Sequence, residues 1–267
     1  MPEGDTLYRT AATLDRWLAG REITDASVPA DRAAAVPTRL LIGQRVTSVE
    51  SRGKHLLIHL HSGAAVHSHL RMSGSWHVYP AGEKWRRPPS QARLVITCTD
   101  RVAVCFNAPV VEVIAPGAGD SFPPLARLGP DLLSSEFDAG EACQRARAGP
   151  ADRPVGELLL DQRVVAGIGN IWRCEALFLT GHNPWDPLSA LADADLDELI
   201  ATAGRLLQAS AHAERYDRRR WVYRRAGRPC HRCRATIRTA RQGEQARTAY
   251  WCPTCQPPAG SSLLEEQ

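Results

Sequence analysis

The chain has 267 residues, 43% of them hydrophobic, and a formal net charge of +4. A chain of this length and composition can form two domains that each bury a core, which excludes an intrinsically disordered protein. No apolar run approaches the roughly 18 residues of a membrane span, and the first residues are acidic where a secretory signal is basic. We expect a soluble, cytoplasmic protein with no membrane partner.

A helix followed by a β-sandwich is predicted for residues 1–115. Apolar residues recur at helical spacing from Leu7 to Leu18, after Asp5, a suitable N-cap, and before Gly20, a suitable stop. From about Gln44 the pattern changes to short β-rich runs separated by Gly, Pro and Asp. The clearest strand candidates are residues 44–51, 55–61, 92–99 and 102–114.

A second, helical domain is predicted after a linker. The segment 116–130 is rich in Pro and Gly and has little periodicity, so it is the linker candidate. Helical patterns occur near 154–162, 170–179 and 193–213. The predicted regions beyond the linker are a helical domain at 131–226, a cysteine-containing module at 227–256 and a polar tail at 257–267. The fold class is therefore α+β.

Four of the eight cysteines form two CxxC pairs near the C-terminus, separated by eighteen residues: Cys230, Cys233, Cys252 and Cys255. This spacing is typical of a two-stranded zinc ribbon, in which four thiolates leave no coordination position for water. We predict one structural Zn²⁺ per chain. An iron site and free thiols are the alternatives.

Two other metal sites can be weighed against this ribbon. His212 and Glu214, followed by the first CxxC pair, superficially match the signature of zinc nucleobase deaminases. That hypothesis is disfavoured because it leaves the second CxxC pair without a role. Five histidines between His55 and His69 are more simply explained as strand and loop residues than as a second metal site, with His69 near a substrate.

The C-terminal region is strongly basic. Between Arg215 and Arg247 there are twelve arginines and two acidic residues, so the rest of the chain is net acidic. Clustered positive charge indicates a polyanionic partner, because each phosphate that is neutralised releases counterions. A solvated charged face is the alternative.

The N-terminus offers a reactive amine. A small second residue favours removal of Met1, so the mature chain is expected to begin with the secondary amine of Pro2. An α-amino group has an ordinary pKa near 8, so about a tenth is neutral at pH 7, against roughly 0.04% of a lysine. Such an amine is suited to forming an imine with a sugar carbon, and Glu3 can supply the proton that this step needs. The alternative for Glu3 is a first-turn acid that favours the helix dipole.

Five segments match a set of motifs that occur in the same order. They are Pro2–Gly4 (PEG), Arg52–Leu56 (RGKHL), His69–Gly74 (HLRMSG), Val165–Ile171 (VAGIGNI) and Arg247–Gln256 (RTAYWCPTCQ). Together they resemble the formamidopyrimidine-DNA glycosylase and endonuclease VIII family, and the resemblance extends to about Gln256. The PEG opening resembles the endonuclease VIII branch.

The resemblance implies a bifunctional glycosylase and lyase of base excision repair. Such an enzyme removes oxidised bases from damaged DNA and cleaves the strand by β- or β,δ-elimination. By the same resemblance, Pro2 is the nucleophile, Glu3 is the acid at the ring oxygen, and Lys54 is a cation near the lesion's phosphate and sugar. A monomeric, nucleoid-associated protein in the cytoplasm is expected.

The resemblance also implies three DNA-binding residues. Met72 would fill the space that a flipped base leaves in the stack, with ordinary core packing as the alternative. Asn170, at a helix start, and Arg247 would hold backbone phosphates. An N-cap is the structural alternative for Asn170.

The chain also departs from the family pattern. Thr6 stands near the position of a second glutamate, and Ala246 stands where the finger motif has glycine. The segment Phe106–Val111 lacks the Arg and Phe of the formamidopyrimidine branch's DNA-probing loop, and the segment before the ribbon is short. The last two features, together with the PEG opening, favour the endonuclease VIII branch and oxidised pyrimidines as substrates. The alternative function is a catalytically inactive relative that recognises damaged or abasic DNA.

Overall fold

A computed structural model describes residues 2–28, 36–119, 121–213 and 219–260. The chain divides into two compact units, Met1–Arg127 and Leu128–Gln267. Within the described residues, no helix is both long and apolar enough to cross a membrane.

Unit 1 begins with helix α1 (Gly4–Leu18), which buries the predicted apolar stripe from Leu7 to Leu18. The prediction of Asp5 as the N-cap is wrong, because the cap is Glu3. The backbone carbonyl of Glu3 accepts the N–H groups of Thr6 and Leu7 at 2.9 and 3.0 Å, so the first turn closes on Glu3. Asp5 therefore lies inside the first turn, where its carboxylate pairs with Arg9 at 3.4 Å.

Two antiparallel four-stranded sheets follow α1. Their orders are β1-β6-β7-β5 and β2-β3-β4-β8. One apolar core joins side chains of both sheets to the buried face of α1, as expected of a sandwich. The strands are β1 (Asp25–Ser27), β2 (Val46–Arg52), β3 (His55–Leu60), β4 (Ala65–His69), β5 (Ser75–Pro80), β6 (Ala92–Thr97), β7 (Arg101–Phe106) and β8 (Val110–Ile114).

The apolar run 102–114 is predicted as one strand candidate but forms two strands in different sheets. Strand β7 ends at Phe106, and β8 starts at Val110. Asn107 has a φ of 52°, a left-handed conformation that asparagine tolerates better than most residues. The chain therefore turns there and crosses from one sheet to the other. A one-turn helix, α2 (Pro123–Ala126), completes unit 1.

Unit 2 is helical and ends in a two-stranded hairpin. Its helices pack around a second apolar core, and β9 pairs with β10 in antiparallel register. The predicted helix at 154–162 is reduced to one turn, because Asp161 accepts the backbone N–H of Arg163 in a tight turn. The elements are α3 (Ala139–Arg147), α4 (Val155–Leu158), α5 (Asn170–Thr180), α6 (Asp193–His212), β9 (Arg238–Gln242) and β10 (Arg247–Trp251).

These observations confirm the predicted α+β fold: a helix and β-sandwich, then a helical region that ends in a four-cysteine ribbon module. The finer boundaries of the linker, helical domain, ribbon and tail remain predictions.

Candidate active site

A tight hairpin turn presents Lys54. Arg52 at the end of β2 pairs with His55 at the start of β3, which leaves only Gly53 and Lys54 in the turn. Gly53 has a φ of 57°, which a two-residue turn of this kind requires and glycine adopts without strain. The sequence therefore fixes Lys54 at the tip of a stiff hairpin.

The N-terminus of α1 lies at the same end of unit 1 as this turn. The N–H of Gly20 bonds to the carbonyl of Val46 at 2.8 Å, and Asp15 Oδ1 accepts the N–H of Val49 at 2.8 Å, so α1 runs antiparallel to β2. From Asp15 back to Gly4 the helix advances about 16 Å, and from Val49 to Lys54 the strand advances about the same distance. Pro2 and Glu3 therefore lie toward the end of unit 1 that holds the Lys54 turn.

The β4–β5 loop reaches this end as well. His69, the last residue of β4, pairs with His55, so the loop begins beside the Lys54 turn. Met72 on this loop is 61% exposed, so the alternative that it packs in the core is wrong. A side chain on Gly74 would lie 2.6 Å from the carbonyl oxygen of Leu70, so the loop closes tightly under Met72.

Unit 1 thus carries four of the predicted site residues, Pro2, Glu3, Lys54 and Met72, toward one end. Glu3 is 1% exposed and does not cap α1 with its side chain. An N-terminal secondary amine can add to an aldehyde carbon, and a buried carboxyl can pass a proton to the product. Met1, whose removal frees the amine, lies outside the described residues.

Unit 2 brings Asn170 and Arg247 together. Asn170 is the first residue of α5 and Gly169 is its N-cap, so the N-cap alternative for Asn170 is wrong. Asn170 Nδ2 donates to the carbonyl of Thr248, next to Arg247, at 2.8 Å. The Asn170 Oδ1 atom is buried and has no hydrogen-bond partner among the described residues. A helix start of this kind carries partial positive charge, which favours an anion.

Ala246, the residue before Arg247, is one of the positions at which the chain departs from the family motif. Ala246 has a φ of 48° in the turn between β9 and β10, the left-handed region that favours glycine. The family motif has glycine there, so alanine carries some backbone strain in this chain. Gln245 Oε1 accepts from Arg247 Nε at 3.2 Å and from Nη2 at 3.1 Å, which orients the guanidinium.

The four predicted metal-ligating cysteines converge, and their ligand atoms all lie within 4.8 Å of one another. Sγ of Cys230 is 3.9 Å from Sγ of Cys255, and Sγ of Cys233 is 3.4 Å from Sγ of Cys252. A hydrogen bond from the backbone of Ala235 lowers the pKa of the Cys233 thiol to about 7, whereas burial raises the pKa of the Cys252 and Cys255 thiols. The cluster can therefore hold one metal ion.

The two other metal hypotheses find less support. Within the part of the chain that the structure describes, the cysteine cluster is the one group with three or more metal ligands in reach of one another. His212 ends α6, and Glu214 of the deaminase hypothesis lies outside the described residues. Cys252 and Cys255, which that hypothesis leaves without a role, complete the cluster.

Sequence reasoning missed the polar residues that hold the ribbon module and the segment just before it to the helices of unit 2. Glu175 is buried in α5 and accepts the N–H groups of Trp221, Val222 and Tyr223 at 2.7, 3.1 and 2.9 Å. Gln256 accepts the N–H of Cys252 and donates to the carbonyl of His182. The available signal was a charged pair, Arg173 and Glu175, inside an otherwise apolar helix.

The fold is that of the formamidopyrimidine-DNA glycosylases. A Lactococcus lactis Fpg in complex with DNA containing an abasic site superposes with a TM-score of 0.84 at 21% identity, covering 96% of this chain and 100% of that chain. MutM in complex with carbocyclic 8-oxo-G containing DNA gives a TM-score of 0.83 at 22% identity, covering 96% and 99%.

Sequence comparison extends this from fold to family. The formamidopyrimidine-DNA glycosylase N-terminal domain matches residues 1–109, and the formamidopyrimidine-DNA glycosylase H2TH domain matches residues 128–218. The chain belongs to the formamidopyrimidine-DNA glycosylase and endonuclease VIII family, as its motifs predicted.

Relatives that are similar along most of the chain include endonucleases 8 and an AP lyase. A probable endonuclease 8 2 of Streptomyces coelicolor is 41% identical over 96% of this chain and 94% of its own length. The DNA-(apurinic or apyrimidinic site) lyase Nei2 of Mycolicibacterium smegmatis is 39% identical over 96% and 99%, and an Escherichia coli endonuclease 8 is 34% identical over 96% and 100%.

Proposed function

We propose that this protein is a bifunctional DNA glycosylase and AP lyase of base excision repair that acts through the amine of Pro2. The observation that supports the proposal is the antiparallel register of α1 on β2, which directs the N-terminus and the buried Glu3 toward the end of unit 1 that holds the Lys54 turn. The endonuclease 8 and lyase names of relatives at 34–41% identity support the same activity.

The proposed chemistry uses one covalent intermediate. The amine nitrogen of Pro2 attacks C1′ of the damaged nucleotide, the base leaves, and the C1′–O4′ bond opens as Glu3 supplies a proton to O4′. Loss of a proton from C2′ then allows the C3′–O bond to break, with the electron pair leaving on the phosphate. The cation of Lys54 stabilises the negative charge near the sugar and phosphate.

The proposed DNA contacts use both units. Met72 is an exposed apolar side chain, suited to fill the gap in the stack when a base flips out. Asn170 and Arg247 lie together at the start of α5, where backbone phosphate is favoured. We further propose that the protein binds damaged DNA as a monomer in the cytoplasm, in association with the nucleoid.

We propose that the metal is one structural Zn²⁺ per chain. Four thiolates at Zn–S distances of about 2.3 Å are about 3.8 Å apart in a tetrahedron, close to the two sulfur separations of 3.4 and 3.9 Å given above. Zinc bound there closes the module that carries Arg247 and takes no part in the bond-breaking steps.

A nicking assay tests the proposed function. The purified protein should cleave a duplex that carries a single abasic site, at the site and without added metal or cofactor. Thr6 stands in place of the family's second glutamate. This is the one feature that favours the alternative, a binding protein without catalytic activity. Binding of the abasic duplex with no cleavage would establish that alternative.

Oxidised pyrimidines are the expected substrates. The turn after β7 exposes Pro109, whereas Phe106 and Ala108 are buried, so this turn presents neither an aromatic nor an arginine side chain to DNA. We expect faster release of 5-hydroxycytosine or thymine glycol than of 8-oxoguanine from matched duplexes, measured under single turnover. Faster release of 8-oxoguanine would contradict this assignment.

Glu3→Gln should separate the two activities. The variant keeps the size of the side chain but loses its proton, so base excision should fall on the order of 100-fold. Cleavage at a preformed abasic site should fall less, because the sugar ring already opens in solution. Equal losses on the two substrates would indicate that Glu3 acts on a step common to both.

A further inference from the structure

Three side chains form a hydrogen-bonded series across neighbouring strands of the second sheet. Glu112 Oε1 on β8 is 2.9 Å from Nδ1 of His67 on β4, and His67 Nε2 is 2.8 Å from Nδ1 of His55 on β3. His67 is 1% exposed and lies under the edge of Phe122, with the ring centroids 5.1 Å apart. We call Glu112, His67 and His55 the relay.

The carboxylate fixes the tautomers along the relay. An ionised carboxylate only accepts hydrogen bonds, so His67 carries its proton on Nδ1 and presents a lone pair on Nε2. His55 must then donate from Nδ1, which leaves its own Nε2 without a proton. No residue that the structure describes donates a hydrogen bond to that nitrogen.

Positive charge surrounds the outer end of the relay, which is His55. His55 directly follows Lys54, and its ring packs edge-on against His69 with centroids 4.8 Å apart. His69 Nδ1 accepts the backbone N–H of Arg71 at 3.1 Å. Burial, followed by His69, His67, Arg71 and Lys54, lowers the pKa of His55 to about 3, so DNA-free His55 is neutral at physiological pH.

The neighbouring rings are held neutral in the same way. Burial first, then Arg71, Lys54 and His67, lower the pKa of His69 to about 4. Burial also lowers the pKa of His67, although Glu112 opposes this shift. The outer end of the relay therefore has two fixed cations and no charged histidine.

A neutral His55 cannot contact a DNA phosphate favourably. Phosphate oxygens only accept hydrogen bonds, and His55 Nε2 offers a lone pair. If the His55 proton moved to Nε2, His67 would have to donate to His55 from its own Nε2. His67 Nδ1 would then present a lone pair to the Glu112 carboxylate, which only accepts hydrogen bonds. Adding a proton to Nε2 avoids this conflict, since His55 then donates from both nitrogens and Glu112 faces a positive charge through His67.

We propose that His55 binds a backbone phosphate of DNA only as an imidazolium, so that DNA binding takes up one proton at the relay, with His67 and Glu112 as positioning residues. The inference rests on the DNA binding proposed above. The proton comes from solvent, no covalent bond changes, and Lys54 and Arg71 attract the phosphate that favours the charged ring.

The pH dependence of DNA affinity tests the proposal. The probe is a duplex with a tetrahydrofuran abasic analogue, measured by fluorescence anisotropy at constant ionic strength. If phosphate returns the pKa of His55 to its ordinary 6.5, affinity should rise roughly tenfold from pH 7.5 to 5.5. Titration calorimetry in two buffers of different ionisation enthalpy should show uptake approaching one proton at the lower pH.

Two variants distinguish proton uptake from a structural role. His55→Gln should lose most of the gain in affinity at low pH. Glu112→Gln should also flatten the pH profile but keep its affinity at pH 7.5. An amide can donate to His67 Nδ1, so His67 can donate from Nε2 to His55, and neutral His55 can then donate from its own Nε2. Glu50→Gln is the matched control, since Glu50 pairs with His59 at 3.0 Å on the same sheet and outside the relay. It should behave as the unmodified protein.

Tautomers in the DNA-free protein give an independent readout. Histidine ¹⁵N shifts should show Nδ1–H for His55 and His67, and Glu112→Gln should abolish this preference. A proton on His55 Nε2, or proton uptake unchanged in His55→Gln, would overturn the inference while leaving the enzyme's activity intact. Failure to bind or cleave the abasic duplex, with the expected tautomers present, would instead overturn the proposed function and the phosphate contact with it.

Discussion

Blocking the N-terminus should abolish covalent trapping of this protein on abasic DNA. Borohydride reduces an imine between Pro2 and C1′ to a stable amine, so the native protein should become crosslinked to the strand. Retention of Met1 or an N-terminal tag turns the Pro2 nitrogen into an amide, which cannot attack C1′, and moves the free α-amine at least one residue away from the position beside Glu3. The displaced α-amine is no longer positioned at the sugar, and the neutral fraction of a lysine at pH 7 is a few hundredfold smaller than that of an α-amine, so trapping should fall by about two orders of magnitude.

The comparison must be made at equal DNA occupancy, since a tag also affects binding. Pro2→Gly provides the matched variant, because its processed N-terminus carries a primary amine and should retain part of the trapping. Undiminished trapping by the blocked protein would assign the nucleophile to an internal lysine, with Lys54 the first candidate. No trapping by any form would favour the non-catalytic DNA-binding alternative.

Features set by short-range sequence pattern could be predicted. The apolar stripe of α1, the Gly53–Lys54 turn and the two CxxC pairs each depend on residues close together in the chain. The structure adds how these local features combine. The register of α1 on β2 directs Glu3 toward the Lys54 end of unit 1, and that register includes a hydrogen bond between Asp15 and Val49, which carry no motif.

Polar residues with distant partners were the harder part to predict. The clearest strand candidates do not include β1, β4 or β5, and the run from His67 to His69 in β4 is polar. In the fold, Ser68 accepts from Trp76 Nε1 at 3.0 Å, and His67 bonds to Glu112, 45 positions away. Burial of these side chains is tolerated because each finds a hydrogen-bond partner, and a single sequence does not reveal which one.

The same reasoning applies to the ribbon module and its attachment. The ligand spacing predicts the cysteine cluster, whereas Glu175 and Gln256 act through backbone groups that carry no side-chain signal. Gln256 is fully buried and donates to the carbonyl of His182 just beyond α5, while Asn183 Nδ2 donates to the carbonyl of Gln256 at 2.8 Å. These hydrogen bonds join the ribbon module to the end of α5, so the position of this helix, which carries Asn170, depends on the folding of the ribbon.

Removal of zinc should therefore disrupt DNA binding and spare the nucleophile. The purified protein should contain about one zinc per chain, and Cys252→Ser should lose it, because three thiolates bind far more weakly than a closed set of four. Without metal the β9–β10 hairpin is too small to stay folded, so Arg247 and the Thr248 carbonyl that Asn170 contacts lose their positions. We expect affinity for an abasic-analogue duplex to fall at least tenfold.

Cys143→Ser is the matched control, since Cys143 lies on α3 outside the cluster and a serine hydroxyl can keep its hydrogen bond to Asp197. It should retain both zinc and DNA affinity. At protein concentrations high enough to saturate the DNA, Cys252→Ser should still be trapped by borohydride, because Pro2 and Lys54 belong to unit 1. A zinc-free protein that binds DNA with unchanged affinity would contradict the structural role of the metal. Loss of trapping at saturation would show that the ribbon also contributes to the chemistry.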